Sequence, residues 1–546
     1  MTDTPALTLP GMFARTAARH GSRPALAMVG ETPVTYDEAD RRIRSVIALL
    51  KRSGLRPGDR VAILGANMPN WSIGYYAVTF SGGVAVPLLP EFHPGEIATI
   101  LDHAGPVILI VSDSLRKKVA SHEEKGSMVV IRMEDFTTVA GESADKAFPA
   151  EGSPAGHAVE PDDLAAIIYT SGTTGKPKGV MLTHRNLCFT AMKSGRVQEI
   201  IETDRFLSVL PLSHTYENTI GMILPMISGA CVYYLGKAPT PAILLPALQE
   251  VKPTIMLTVP LIIEKIFRNV ILPKFNGSRV MRTLSRFGPT RRLLNRVAGR
   301  KLMTTFGGEL RFFGIGGAKL NRTVEKFLIE AKFPYAIGYG LTETSPLLAG
   351  FNPKDYRLQS TGPAIEGIEL VIHDPDPKTG EGEIRARGPN VMKGYYREPE
   401  LTAEILTPDG WLKTGDLGVM DRDGYLYIKG RLKNVIILSG GENIYPEEIE
   451  SVINNFKHVL DSLVLEQKGK LVALVHFNRE EIEQRYGHLQ QEFIDFVERM
   501  IEELRNELQQ YVNHRMNRFS QVQAVIVHPE PFEKTATMKI KRYLYG

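Results

Sequence analysis

Residues 169–179 read Tyr-Thr-Ser-Gly-Thr-Thr-Gly-Lys-Pro-Lys-Gly and continue an apolar stretch, 164–169, that predicts a buried strand. Three glycines let a ligand approach the backbone closely, four Ser and Thr hydroxyls offer hydrogen bonds, and two lysines add positive charge. Together these features indicate a site for a polyphosphate, with a nucleotide as the natural occupant. Pro177, rather than Ser or Thr, follows Gly175-Lys176, so the loop is not a Walker A motif and phosphoryl transfer of the NTPase kind is disfavoured.

Helix-like and strand-like stretches alternate on both sides of this loop. Periodic apolar residues predict helices through 49–55 and 71–80. Short apolar runs bounded by Gly and Pro predict strands at 61–64, 84–88, 107–111, 164–169, 254–258 and 310–315. This rhythm is typical of βαβ units and predicts a large, doubly wound α/β body.

The pattern of the sequence changes twice after this predicted α/β body. Beyond Pro346, turn-rich sequence at 374–380 and a short strand at 383–387 predict a small β-rich subdomain, about 346–430. From Arg431, predicted strands near 435–438, 462–465, 471–477 and 524–528 accompany an amphipathic helix between 482 and 511, with a break near Gly487. We therefore predict an N-terminal domain, 1–430, and an α+β C-terminal domain, 431–546. The helix either packs on the sheet of its own domain, which is the commoner arrangement, or forms a dimer face.

Composition narrows the class of protein. The chain has 546 residues, 43% hydrophobic and 23% charged, close to the averages of globular proteins. Its two cysteines, Cys188 and Cys231, exclude a disulfide framework and favour a reducing compartment. The N-terminus lacks the pattern of a secretory signal, and no apolar run approaches the roughly 18 residues of a membrane span. We expect a cytoplasmic protein.

Positive charge is concentrated in one segment. The net charge is only +4, but residues 265–301 contain eleven Lys and Arg and no Asp or Glu. Interleaved apolar residues suggest a surface that meets anionic lipid or another acidic partner: Phe267, Val280, Met281, Leu284, Phe287, Leu293 and Leu294. The alternative, a solvated helical face with an ordinary buried apolar stripe, is favoured because most charge runs are of that kind.

The sequence YTSGTTGKPKGVMLTH, from Tyr169, resembles the phosphate-loop signature of the AMP-forming adenylate superfamily, which includes acyl-CoA synthetases, peptide-synthetase adenylation domains and firefly luciferase. The resemblance covers the chain from its first βαβ units to Arg542, with five motifs in the family order. It implies two α/β subdomains and a β-subdomain followed by a mobile C-terminal lid. It also implies that the loop binds ATP through Thr170, Ser171, Gly172, Thr173, Thr174, Gly175 and Lys176.

Two further motifs resemble parts of the family's nucleotide site. In Gly338-Tyr339-Gly340-Leu341-Thr342-Glu343-Thr344, the resemblance implies that Tyr339 stacks on adenine, Thr342 contacts the α-phosphate and Glu343 holds Mg²⁺, a cation that prefers oxygen ligands. Without the rest of the motif, Thr-Glu in a Gly-rich turn would indicate the start of a helix as readily as a nucleotide site. A second turn, with Gly317 and Ala318, resembles the one that runs along adenine and the acyl pocket.

The C-terminal third carries the remaining motifs. The resemblance implies that Asp416 accepts hydrogen bonds from the ribose hydroxyls, that Arg431 reaches the nucleotide and that Lys433 is the hinge of the lid. Lys539 resembles the lysine that neutralises charge during adenylation, although Met538 stands where the family commonly has Gly. Gly441 lies in a stretch similar to the loop that borders the coenzyme A tunnel.

The segment Leu-Pro-Leu-Ser-His-Thr-Tyr-Glu, 210–217, is similar to that of long-chain fatty acyl synthetases, in which His214 stands at the acyl entrance; a purely structural His is the alternative. The resemblance thus implies an acyl-CoA synthetase that uses Mg-ATP and coenzyme A, or alternatively a fatty acyl-AMP ligase or acyl carrier protein loader. A phosphotransferase, a luciferase-type oxidase and a non-catalytic binding protein are rivals from other classes. No nucleic acid partner is expected, and peripheral contact with the inner membrane surface would pass through 265–301.

Overall fold

The computed structural model describes residues 7–124, 126, 128–141, 158–171, 177–276, 279–437, 443–486, 493–535 and 539–546. The chain divides into two compact units. The first comprises Met1–Val371, Arg385–Lys413 and Asp421–Leu426, and the second comprises Ile372–Ile384, Thr414–Met420 and Tyr427–Gly546.

Strands are numbered in chain order. Those before residue 360 are β1 (Pro24–Met28), β2 (Val34–Thr35), β3 (Arg60–Leu64), β4 (Val84–Leu88), β5 (Ile108–Val111), β6 (Val129–Arg132), β7 (Thr138–Ala140), β8 (Leu164–Ser171), β9 (Pro177–Thr183), β10 (Arg205–Ser208), β11 (Cys231–Tyr234), β12 (Ile255–Thr258), β13 (Phe312–Ile315), β14 (Tyr335–Gly340) and β15 (Leu347–Gly350). The later ones are β16 (Glu369–His373), β17 (Gly382–Arg387), β18 (Gly394–Tyr395), β19 (Leu412–Met420), β20 (Leu426–Arg431), β21 (Ile436–Ile437), β22 (Asn443–Ile444), β23 (Val459–Gln467), β24 (Lys470–Phe477) and β25 (Ala524–Val527).

The α-helices are numbered in the same way. They are α1 (Leu9–His20), α2 (Tyr36–Arg52), α3 (Pro69–Phe80), α4 (Pro94–Ala104), α5 (Ala120–Glu124), α6 (His184–Val197), α7 (Leu224–Ser228), α8 (Pro241–Val251), α9 (Pro260–Ile266), α10 (Leu272–Asn276), α11 (Arg279–Leu284), α12 (Gly288–Thr305), α13 (Arg322–Ala331), α14 (Pro399–Ile405), α15 (Pro446–Ile453), α16 (Arg479–Tyr486) and α17 (Phe493–Asn513). Within the described ranges, no helix combines the length and apolarity needed to cross a bilayer.

Two eight-stranded sheets organise the first unit, in the orders β18-β9-β8-β4-β3-β5-β6-β7 and β15-β14-β13-β12-β10-β11-β1-β2. Their central strands are parallel: Val61 of β3, for example, pairs with Ala85 of β4 on one side and Ile108 of β5 on the other. Antiparallel strands lie at the edges. The central strands are continuous apolar runs with almost every residue buried, as expected for parallel strands covered on both faces. The predicted α/β body is confirmed.

A smaller four-stranded sheet has the order β16-β17-β19-β20, and its residues are assigned in part to each unit. The turn-rich stretch before β17 forms as predicted, because Asp376 accepts hydrogen bonds from the backbone N–H groups of Lys378 and Thr379. The predicted domain boundaries, 346–430 and 431–546, stay predictions.

The second unit contains a three-stranded sheet, β23-β24-β25, in which β23 and β24 are antiparallel and β24 and β25 are parallel. The predicted amphipathic helix appears as α16 and α17, and residues 487–492, where the break was expected, lie outside the described residues. Ile482, Leu504 and Leu508 are buried in one cluster with residues of β24, so the helix packs within its own domain.

Candidate active site

The predicted phosphate loop connects two antiparallel strands. Thr170 of β8 pairs with Lys178 of β9, and Ser171 pairs with Pro177. The residues between these pairs, Gly172, Thr173, Thr174, Gly175 and Lys176, lie outside the described residues. The strand before the loop is confirmed, whereas the strand after it was not anticipated.

The base of this hairpin is tightly packed. A Cβ atom added at Gly179 would lie 2.8 Å from Ile167 Cγ2 and 3.1 Å from the ring of Tyr169, so only glycine fits there without a shift. The Tyr169 hydroxyl lies 2.7 Å from Nδ1 of His103 on α4. Burial raises the pKa of Tyr169 well above its usual range, so this hydroxyl stays neutral at physiological pH. The strands that carry the loop are therefore held firmly.

Tyr395 connects this hairpin to the carboxylate predicted to hold magnesium. It lies on β18, which pairs with β9 through the partners Tyr395 and Val180. The Tyr395 hydroxyl donates a 2.8 Å hydrogen bond to Glu343 Oε1, and Lys178 Nζ stands 5.3 Å from the centroid of the Tyr395 ring. Sequence reasoning missed Tyr395, because no spacing rule relates it to Glu343, 52 positions away.

The turn that carries Glu343 is fixed by buried polar contacts. Thr344 Oγ1 accepts a hydrogen bond from Leu341 N and donates one to Pro346 O at 2.8 Å. The Asn390 side chain, which is fully buried, donates to Thr344 O at 3.0 Å, and Met392 N donates to Glu343 O at 2.9 Å. The carboxylate therefore projects from a backbone that is held on both sides.

Four predicted residues share one edge of the second large sheet. Ile315 of β13 pairs with Ile337 of β14, and two residues beyond this pair the chain reaches Gly317 and Tyr339. Thr342 begins the 3-10 turn Thr342–Thr344 just beyond β14. Gly317 has φ +85°, a left-handed conformation that glycine adopts readily, and Ala318 is exposed beside it. Carboxyl ends of parallel strands are where α/β sheets bind ligands.

His214 lies in the loop after β10, a parallel strand of the same sheet. Asn67 holds this loop through hydrogen bonds from its Nδ2 to Leu210 O, at 2.6 Å, and from Leu212 N to its Oδ1, at 3.0 Å. His214 is half-buried, and its Nδ1 accepts a 3.3 Å hydrogen bond from Tyr216 N. The structure thus brings His214 to the same sheet edge as Gly317 and Tyr339.

The next residues join this loop to the turn after β13. The Tyr216 ring packs where Gly314 and Gly316 lack side chains: a Cβ on Gly316 would lie 3.1 Å from the ring. Glu217 begins the π-helix Glu217–Ile223 and is buried, and this burial raises its pKa to about 8. Gly221 makes room for it, since a Cβ there would lie 2.6 Å from the Glu217 carboxyl carbon. Burial therefore favours the neutral form of the Glu217 carboxyl group.

In the second unit, Asp416 and Arg431 form an ion pair. Arg431 Nε lies 2.9 Å from Asp416 Oδ1, and Arg431 also donates to Thr414 O at 3.1 Å. Asp416 is buried, whereas Arg431 is largely exposed. The backbone N–H of Asp416 is bound in turn by Thr414 Oγ1 at 3.1 Å. Two residues predicted to bind the nucleotide are therefore in direct contact.

The predicted hinge and catalytic lysine are both exposed. Lys433 lies in the 3-10 turn Leu432–Asn434, and Lys539 O accepts a 2.8 Å hydrogen bond from Thr535 N. Of the neighbouring lysines, Lys534 Nζ lies 2.7 Å from Asp461 and Lys541 Nζ lies 3.7 Å from Glu533. Those two lysines thus have structural partners within their own unit. Gly441 lies outside the described residues.

Comparisons with known proteins agree with this geometry. The family model described as AMP-binding enzyme matches residues 13–396. The chain is 32% identical over 487 residues to the long-chain-fatty-acid–CoA ligase FadD15 of Mycobacterium bovis, covering 83% of this chain and 78% of that protein. It is 30% identical to long chain acyl-CoA synthetase 1 of Arabidopsis thaliana, covering 93% and 85%.

Solved structures include one with the same architecture. O-succinylbenzoate coenzyme A synthetase (MenE) from Bacillus subtilis, in complex with ATP and magnesium ion, has a TM-score of 0.75 at 25% identity, covering 97% of this chain and 98% of that one. The family match spans well over half of the chain, and it confirms the family that the motifs predicted. The chain belongs to the family of AMP-binding enzymes.

Proposed function

We propose that the protein is an acyl-CoA synthetase that uses ATP to activate a long-chain fatty acid. The observation that carries the proposal is the contact of Tyr395 with both Lys178, at the base of the phosphate loop, and Glu343, the predicted magnesium ligand. The names of the relatives from Mycobacterium bovis and Arabidopsis thaliana support the substrate class.

Chemically, a carboxylate is a poor electrophile and must be activated before a thiol can attack it. In the proposed first step, a carboxylate oxygen of the acid attacks the α-phosphorus of ATP, the bond from that phosphorus to the β-bridging oxygen breaks, and pyrophosphate leaves. The product is an acyl adenylate. In the second step, the coenzyme A thiol attacks the acyl carbon, loses its proton and displaces AMP. Such steps need positioning and charge neutralisation, and no protein nucleophile.

The residues at Glu343 suit a magnesium ion. An ionised carboxylate has about four lone-pair positions, and the Tyr395 hydrogen bond to Oε1 uses one of them. Carboxylate and phosphate oxygens are the ligands that Mg²⁺ prefers. A bound Mg²⁺ would offset the negative charge of the polyphosphate. Tyr395 would orient the carboxylate, as outer hydrogen-bond partners of metal ligands commonly do.

We also propose roles for the other predicted residues. Adenine would be contacted by Tyr339, Gly317 and Ala318. The phosphates would be contacted by Thr342 and residues 170–176, and His214 would stand at the acyl entrance. In the second unit, Asp416 and Arg431 would bind the nucleotide, Lys433 would serve as the hinge, and Lys539 would neutralise charge between the attacking carboxylate and the α-phosphate. Gly441 would border the path of the thiol. We further propose a cytoplasmic enzyme that meets the inner membrane surface through 265–301.

A panel of carboxylic acids of graded chain length, each supplied with Mg-ATP, tests this function. Pyrophosphate release is measured with and without coenzyme A. We expect release that depends on the acid, rises toward long chains and is accelerated by coenzyme A. Acid-dependent release without thioester formation would instead identify a fatty acyl-AMP ligase or an acyl carrier protein loader. Release of ADP or inorganic phosphate would contradict both.

A further inference from the structure

The basic segment 265–301 exposes apolar side chains that a solvated helix would bury or lack. Between residues 280 and 297, five of them are at least one-third exposed: Val280, Leu284, Phe287, Leu293 and Val297. Phe287 and Leu293 reach 62% and 63% exposure. The expected buried stripe is formed by other residues, because the packed positions of α12 are Asn295, Gly299 and Leu302. Exposed apolar residues are normal singly, but five of them within residues 280–297 suggest an interaction site.

Helical geometry places the apolar residues of α12 away from the core. At about 100° per residue, Leu293 and Val297 stand one turn apart on the face opposite Gly299 and Leu302. The same geometry places Arg296 and Arg300 on one side of this pair and Lys301 on the other. An apolar stripe flanked by cations is the pattern of helices that lie in a bilayer interface.

The cations of this surface are exposed and mostly lack acidic neighbours. Arg282, Arg286, Arg292, Arg296, Arg300 and Lys301 are all exposed. In the part of the chain that the structure describes, Arg291 is the one basic residue from 282 to 301 within ion-pair distance of a carboxylate, Glu330, at 2.7 Å. Since 265–301 contains eleven Lys and Arg and no Asp or Glu, the segment itself carries a strong positive charge.

We propose that these five apolar and six basic residues form a docking surface for an anionic lipid bilayer. The cations complement lipid phosphates, and the apolar side chains insert among the acyl chains. The apolar side chains stand out from the surface, so a fluid bilayer can surround them, whereas a protein partner would need matching sockets. Nucleic acid would use the cations but gain little from the apolar stripe. The inference extends the proposed function, because a bilayer dissolves long-chain fatty acids.

Vesicle co-sedimentation of the full chain tests the surface without ATP or acid, so that failure of docking and failure of the ligase are separate results. We expect binding to phosphatidylglycerol-containing vesicles, decreasing with salt, and little binding to phosphatidylcholine vesicles. Substituting Arg282, Arg286 and Arg296 with Gln should lower the partition coefficient roughly 100-fold, at about fivefold per charge. A control variant with Gln at Arg41, Arg42 and Arg44, exposed on α2, removes the same charge and should bind like the unmodified chain.

Insertion is tested separately from charge. Ser substitutions at Phe287, Leu293 and Val297 should weaken binding with all cations retained. In Phe287→Trp, tryptophan emission should shift to the blue with anionic vesicles. Circular-dichroism spectra and melting temperatures that match those of the unmodified chain verify that these variants are folded. The proposal would be overturned if the chain bound neutral vesicles as well as anionic ones, or if the α2 control variant lost as much vesicle binding as the Arg282, Arg286 and Arg296 variant. It would also be overturned if the Ser variant bound like the unmodified chain, or if the Phe287→Trp emission did not shift.

Discussion

Replacing Tyr395 with phenylalanine removes one hydroxyl from the candidate magnesium site and retains the aromatic ring. The hydroxyl donates a 2.8 Å hydrogen bond to Glu343 Oε1, whereas Lys178 contacts the ring, so the variant separates the two interactions. A hydrogen bond to a charged group contributes about 1.5–3 kcal/mol. Loss of an outer partner of a metal ligand typically costs about 10–100-fold in metal affinity or activity.

We therefore expect the Mg²⁺ concentration for half-maximal ATP–pyrophosphate exchange to rise about 10–100-fold in Tyr395→Phe. Exchange is titrated with Mg²⁺ at fixed ATP and acid. Tyr396→Phe is the matched control, since it removes the same hydroxyl from the next residue, whose ring contacts the His103 ring and the Arg397 guanidinium. A Tyr395→Phe variant with an unchanged Mg²⁺ titration would refute the idea that this hydroxyl orients a metal ligand.

Three other perturbations test separate parts of the account. Lys539→Ala should lower the rate of adenylation at least ~100-fold, because it removes a charge-stabilising donor, but it should spare thioester formation from supplied acyl adenylate. Lys541→Ala is the control. Equal loss in both steps would reject the assignment of Lys539. Lys433→Pro should spare pyrophosphate release and impair acyl transfer to the thiol, whereas Lys433→Ala, the control, should leave both steps intact. Normal overall turnover by Lys433→Pro would count against a hinge at this residue. Glu217, with its pKa raised from 4.5 to about 8 by burial, contributes stability that is present below pH 4.5 and lost as pH rises through 8. Glu217→Gln should remove this dependence, worth up to roughly 5 kcal/mol, and raise Tm more at pH 8 than at pH 5. Parallel curves of Tm against pH for the variant and the unmodified chain would contradict the burial argument.

The parallel strands could be predicted well because a strand buried on both faces needs a continuous apolar run. Residues 61–64 and 84–88 are such runs, and they form β3 and β4. The strand after the phosphate loop escaped prediction because Pro177 and Lys178 are not typical of a strand. The basic segment 265–301 suggested either a lipid-facing surface or a solvated helical face, but its sequence did not reveal that Leu293 and Val297 of α12 face away from the core.

The candidate site was predictable only where its residues lie together in the chain. Tyr339, Thr342 and Glu343 occupy one motif, from which the resemblance predicts their roles. Tyr395 and Asn390 reach Glu343 and Thr344 only through the pairing of β18 with β9, a long-range contact that no local pattern encodes. Likewise, the burial of Glu217 depends on Gly221 and on the packing around it, so its raised pKa follows from the fold.

The fate of the carboxylate oxygen tests the central chemical claim most directly. A fatty acid labelled with ¹⁸O in its carboxyl group is incubated with the enzyme, Mg-ATP and coenzyme A, and the nucleotide product is analysed by mass spectrometry. If the acid attacks the α-phosphorus, the bridging oxygen stays with phosphorus when the thiol displaces AMP. The account predicts AMP that carries one ¹⁸O atom for each thioester formed, and unlabelled AMP or labelled inorganic phosphate would contradict it.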